Sequence, residues 1–195
     1  MTDVYMVVGL GNPGIRYVGT RHNLGFEVID GLAGTYGIDV RQRKFGARFG
    51  AIEQMHKKLI LLKPWQFMNL SGQAVATAVG FYRLNLAHLM VVVDDMALGL
   101  GRIRLRGQGS PGGHNGLTDI VAKLGTDQFA RCRVGIGRSD EMSDVDFVLK
   151  RPPKEERATL NEAVVRAQNA VVCWLEHGIE TAMNQFNGVP WDREP

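Results

Sequence analysis

Val4-Tyr-Met-Val-Val-Gly-Leu-Gly-Asn-Pro-Gly14 is an apolar run that stops at glycines. A short apolar run bounded by turn residues predicts a strand over Val4–Leu10. Downstream, Asn23–Tyr36 carries Phe26, Ile29, Leu32 and Ala33 at helical spacing, which predicts a helix. Alternation of this kind continues along the chain. Strands are expected at Phe45–Glu53 and His56–Leu62, joined as a hairpin, and a helix at Ser71–Arg83. A buried strand follows at Leu89–Asp94, then a half-exposed one at Arg102–Arg106, where bases and aliphatics alternate. A short helix at Gly116–Leu124, a strand at Arg131–Gly137 and a long helical stretch at Glu155–Phe186, broken near Gly178, complete the order. The segment Asp140–Lys150 has loop-like composition. The pattern predicts an α/β fold: one three-layer domain over residues 1–195, with a twisted mixed β-sheet flanked by helices.

Composition sets the outer bounds. The 195 residues are 45% hydrophobic and 22% charged, which excludes disordered and fibrous classes. No apolar run reaches the roughly 18 residues of a membrane span, so no membrane partner is expected. The opening residues carry an acid and no basic leader, so no secretory signal is expected. Cys132 and Cys173 lie far apart in apolar surroundings, which points to free thiols in a reducing cytoplasm.

Net charge is only +3, but the bases are grouped. Seven fall between Arg41 and Lys63 against the single acid Glu53, and seven between Arg102 and Arg138 against Asp119 and Asp127. Such patches suit a polyanion held at one face.

The glycine run Gly9-Leu-Gly-Asn-Pro-Gly14 has the spacing of a dinucleotide loop. The context opposes that use. Gly19, Thr20, Asn23 and Gly25 interrupt the helix such a loop should enter, and no ribose-binding acid ends the next strand. No dinucleotide and no other cofactor is expected. Nor is a metal: no H-x-x-x-H pair and no cysteine pair has ligand spacing.

Chemistry-bearing residues gather elsewhere. His22 lies at a helix start among polar neighbours, which disfavours its charged form and suits a general base. Asp94 ends the strand Met90–Val93, where a carboxylate can fix an imidazole's tautomer and raise its basicity. No nucleophile elbow exists and neither cysteine neighbours a histidine, so water is the expected nucleophile. Three carboxamides, Asn12, Asn69 and Asn115, can hold a carbonyl or the attacking water. Met68 beside Asn69 is either an apolar wall of the site or core. The glycine-rich loop Gly107–Gly116 feeds a helix and presents backbone N–H groups.

These motifs together resemble the bacterial-type peptidyl-tRNA hydrolases. The resemblance rests on Val8-Gly-Leu-Gly-Asn-Pro-Gly14 with Tyr17, Thr20-Arg-His-Asn-x-Gly25, Phe67-Met-Asn-Leu-Ser-Gly72, Asp94-Asp95 and Gly112-Gly-His-Asn-Gly-Leu117. Gly135-Ile-Gly137 and Phe147-Val-Leu149 fit as well, and the similarity runs from about Val4 to Phe186. It implies hydrolysis of the ester between a peptide and the terminal ribose of tRNA, recycling tRNA for translation. On this likeness His22 is the base and Asp94 its orienting partner. Asn12, Tyr17, Met68, Asn69 and Asn115 contact substrate, and Arg106 and Arg133, helped by Arg104, hold tRNA phosphate. Peptidyl-tRNA is the implied partner, and a monomer is the family expectation. Ala97 stands where many members carry a second acid, and Trp65-Gln66 departs from the usual lead-in. A non-catalytic RNA-binding protein on the same fold is the alternative, and a dinucleotide-dependent oxidoreductase a third class.

Overall fold

A computed structural model describes residues 3–54 and 56–188 of the chain. The expected domain of 1–195 therefore extends past the described residues at both ends. Strand β1 (Asp3–Gly9) leads through two single helical turns, Ile15–Tyr17 and Arg21–Asn23, into helix α1 (Leu24–Tyr36). Strands β2 (Gln42–Lys44), β3 (Ala47–Gln54) and β4 (Lys57–Pro64) come next. Helix α2 (Ser71–Tyr82), strands β5 (Leu89–Asp95) and β6 (Ile103–Arg106), helix α3 (Asn115–Leu124) and strand β7 (Ala130–Gly135) follow. The chain closes with α4 (Asp144–Leu149) and α5 (Lys154–Phe186).

The seven strands form one mixed sheet in the order β2-β3-β4-β1-β5-β7-β6. Its centre, β4-β1-β5-β7, is parallel, and both flanks are antiparallel. Side chains alternate between the two faces. Val7, Leu61, Val92 and Cys132 pack under α1 and α5. Met6, Val8, Ile60, Leu62 and Val91 pack under α2 and α3. These are the three layers the alternation predicts. Among the described residues no helix is long and apolar enough to cross a membrane.

The glycines of the first motif serve packing. A side chain on Gly25 would meet Leu10 O at 2.5 Å and Val92 O at 2.6 Å. Only a bare Cα lets α1 sit against the ends of β1 and β5. That contact brings the turn Arg21–Asn23 over the carboxyl edge of the parallel strands, where sites of such sheets lie.

Two segments differ from the sequence expectation. The strand expected from Phe45 begins at Ala47, because Phe45 and Gly46 both have positive φ (60° and 71°). They are the central pair of a two-residue hairpin linking β3 to β2, an edge strand too short and too polar to stand out in the sequence. The segment expected to be loop, Asp140–Lys150, contains α4. Ser143 caps it by accepting from the Asp146 N–H at 3.1 Å, and Phe147 and Val148 bury its inner face.

Candidate active site

His22, in the turn before α1, and Asp94, at the end of β5, meet at the sheet's carboxyl edge. His22 Nδ1 lies 2.9 and 3.0 Å from the two oxygens of Asp94. The carboxylate is buried, so an acceptor without donors there would be costly. A second donor comes from His114, the N-cap of α3, whose Nε2 lies 3.2 Å from Asp94 Oδ1. The tautomers follow from the partners. His114 Nδ1 accepts from the Leu117 N–H at 3.3 Å, so its proton is on Nε2 and faces Asp94. His22 donates from Nδ1, which leaves Nε2 as a free base.

Electrostatics fit this arrangement. Burial lowers the proton affinity of His22, but the charge and hydrogen bond of Asp94 outweigh it, and the net shift is upward from 6.5. The helix-start expectation of a disfavoured charged form is thus reversed by the carboxylate. Burial would raise Asp94, yet the two imidazoles outweigh it and hold the carboxyl well below its ordinary range. Asp94 stays ionised throughout the working range.

The three side chains open on one cleft of about 310 Å³, which Asn115, Arg133 and α4 also line, the last through Asp144, Val145 and Val148. Beside it, Asn12 and Met68 are joined: Asn12 Oδ1 accepts from the Met68 N–H at 2.8 Å. Asn23 clamps Asn12 on both main-chain groups, at 2.8 and 3.0 Å. The Asn12 oxygen is therefore spent on scaffolding, and its NH₂ remains the free end. Met68 is buried near Leu10 and Gly116, so it is core as well as wall. Asn69 and Asn115 are exposed, and Tyr17 is half-buried in the first turn under the Arg16 guanidinium.

The arginines divide. Arg104 and Arg106 are exposed on β6, opposite Arg133 and Arg131 of β7. Arg133, which the resemblance links with tRNA phosphate, already has partners within the protein. It is buried, bonds Asp95 at 2.9 Å and donates to the carbonyls of Ser110 and Pro111. Its fork braces the glycine loop against β5. Arg131 is wholly buried among backbone carbonyls, those of Gly109, Asp127 and Phe129 included. Burial, with Arg133 alongside, pulls it down to about 10. The backbone N–H of Ala97 bonds Asp95 at 2.8 Å and so keeps the loop tied to the strand end.

His114, Asn23 and Asp95 were the residues that sequence reasoning left without a role. The signal that could have found His114 is its place inside the glycine-rich loop Gly107–Gly116, next to Asn115. His22, Asp94 and His114 also form the one group able to hold a metal among the described residues, their ligand atoms lying within 4.8 Å of one another.

An imidazole oriented by a buried carboxylate, with carboxamides nearby at the carboxyl edge of a parallel sheet, is an arrangement able to activate water, as hydrolases do. The comparisons agree on which one. The peptidyl-tRNA hydrolase family profile matches residues 6–194. The chain is 48% identical over 185 residues to the peptidyl-tRNA hydrolase of Caldanaerobacter subterraneus subsp. tengcongensis, covering 95% of this chain and all of the relative. It is 44% identical to that of Clostridium botulinum Alaska E43, covering 95% and 96% of the two chains. A crystal structure of peptidyl-tRNA hydrolase from Acinetobacter baumannii superposes with a TM-score of 0.88 at 35% identity, over 96% of each chain. The chain belongs to the peptidyl-tRNA hydrolase family.

Proposed function

We propose that this protein hydrolyses the ester between a peptide, or an N-blocked aminoacyl group, and the 3′-terminal ribose of tRNA. One observation carries the reading: His22 is bound through Nδ1 to a buried, doubly held carboxylate, with Nε2 left free. A water takes its place against Nε2, gives up a proton to it and attacks the ester carbonyl. The tetrahedral intermediate collapses, the carbon–oxygen bond to ribose breaks, and His22 returns the proton to the leaving oxygen. A positioned base supplies about 10²–10⁴-fold, or roughly 3–5 kcal/mol. A carboxamide N–H facing the oxyanion adds roughly 3–4 kcal/mol.

The free NH₂ of Asn12 and the exposed amides of Asn69 and Asn115 read the peptide backbone without regard to side chains. The exposed apolar residues Ile15, Phe67 and Leu70 border the same loops and offer an apolar resting place for the peptide. Arg104 and Arg106 hold tRNA phosphate, while Arg133 shapes the loop between them and the base. Free, buried cysteines support a reducing cytoplasm as its place of work. The test is release of the acyl group from an N-acetylated aminoacyl-tRNA. Release supports the reading; tRNA binding without release leaves an RNA-binding protein that performs no chemistry.

A further inference from the structure

We propose that His22, Asp94 and His114 form a binding site for one soft divalent cation, Zn²⁺ in the first instance, and that the bound ion silences the hydrolase. Binding is independent of the proposed activity; the silencing rests on it.

The geometry is close to a zinc cage. His22 Nδ1 and His114 Nε2 lie 2.9 and 3.2 Å from the same Asp94 oxygen. A tetrahedral Zn²⁺ with bonds of about 2.0–2.1 Å holds neighbouring ligand atoms about 3.4 Å apart. All three ligand atoms lie within 4.8 Å of one another, so closing the two imidazole nitrogens on a shared ion would convert two hydrogen bonds into three coordinate bonds. Two imidazoles and one carboxylate are a ligand set that zinc accepts and magnesium does not favour. All three side chains line the open cleft, so an ion has an entry path and a fourth position for water. The nearby cations are already paired, Arg133 with Asp95 at 2.9 Å and Arg138 with Asp144 at 3.5 Å, which offsets their repulsion of a dication.

Inhibition follows from the tautomers. In the tautomers that the hydrogen bonds define, each ring carries one proton, on His22 Nδ1 and on His114 Nε2. When Zn²⁺ takes His22 Nδ1, the ring's proton moves to Nε2. The free base becomes an N–H donor and cannot accept a proton from water. When Zn²⁺ takes His114 Nε2, that proton moves to Nδ1. The hydrogen bond from Leu117 N–H to Nδ1 is lost, one neutral contact exchanged for a coordinate bond.

The experiment titrates Zn²⁺ alone against chelator-treated full-length protein, read by competition with a chromophoric chelator and without tRNA. We expect one equivalent bound by wild type, and Co²⁺ in its place to give the intense visible bands of a four-coordinate site. His114→Asn should weaken binding by at least about 100-fold, since loss of a mere supporting residue already costs 10–100-fold. His22→Asn, which removes another ligand, should do the same if the first variant fails to fold. His177→Asn, at an exposed histidine on α5, should bind as wild type does. Acyl release should fall in step with occupancy, return on adding chelator and ignore Mg²⁺. No bound Zn²⁺, equal binding by His114→Asn, or loss of the site in His177→Asn would overturn the site. Activity that is lost to the chelator and restored by Zn²⁺ would overturn the silencing. Stoichiometric Zn²⁺ on a protein inactive with or without it would refute the hydrolase reading and support the site.

Discussion

His22 Nδ1 sits within 3.0 Å of both carboxylate oxygens of Asp94, a buried contact between residues 72 positions apart in the chain. It sets the pH behaviour of the protein. His22 must be neutral to act, and its proton affinity is raised above 6.5. The acidic limb of kcat/KM should therefore have its midpoint above 6.5. In Asp94→Asn the raising influence is gone and burial remains, so the limb should move to lower pH while the rate falls by at least about 100-fold. The sign for stability is opposite for the two partners. The raised His22 stabilises the fold fully below its unfolded value and loses that contribution as pH rises through its folded value. The depressed Asp94 stabilises it above 3.8 and loses that contribution as pH falls through its folded value. Urea melts across pH read both.

His114→Ala removes the second donor to Asp94 and the cap of α3. A hydrogen bond to a charged group is worth about 1.5–3 kcal/mol, so kcat should fall by about 10- to 100-fold with KM little changed. Loss of the cap should lower stability by about 1 kcal/mol. Steady-state kinetics with a melt on the same sample separates the two.

Arg104 and Arg106 should carry the salt sensitivity of tRNA binding. If about three phosphates are neutralised, affinity should fall roughly 20- to 40-fold between about 50 and 200 mM salt. Replacing both arginines by alanine should weaken binding and reduce the slope of log affinity against log salt by nearly two. The turnover number at saturating substrate should stay near wild type. An unchanged slope would place the phosphate contacts elsewhere.

Gly25→Ala should destabilise strongly. The new methyl group meets backbone oxygens of Leu10 and Val92 under 3.0 Å away, and backbone cannot yield as a flexible side chain would. Overpacking of this kind costs about 1–3 kcal/mol, and the upper end is expected here. A lower urea midpoint at unchanged m value is the signature.

Much of this was legible in the sequence because the relevant forces are local. The unalternating runs Val4–Leu10 and Leu89–Asp94 are strands of the parallel centre, where both faces are covered. His22 and Asp94 stood out because polar groups at the ends of apolar elements need a reason. The β2 hairpin escaped because its turn relies on Phe45 in a left-handed conformation that phenylalanine rarely adopts. Helix α4 escaped because six residues cannot show a period, and tertiary burial of Phe147 and Val148 stabilises it. The fate of Arg133 was illegible for a similar reason. Its partner Asp95 lies 38 residues away on the neighbouring strand, and only the β5–β7 register brings the two together.

The most direct measurement is acyl release from an N-acetylated aminoacyl-tRNA by wild type and by His22→Ala of verified fold. The imidazole of His22 as base requires turnover by wild type and a loss of about 10²-fold or more in kcat/KM for the variant, with tRNA affinity retained. Turnover surviving in the folded variant would contradict it.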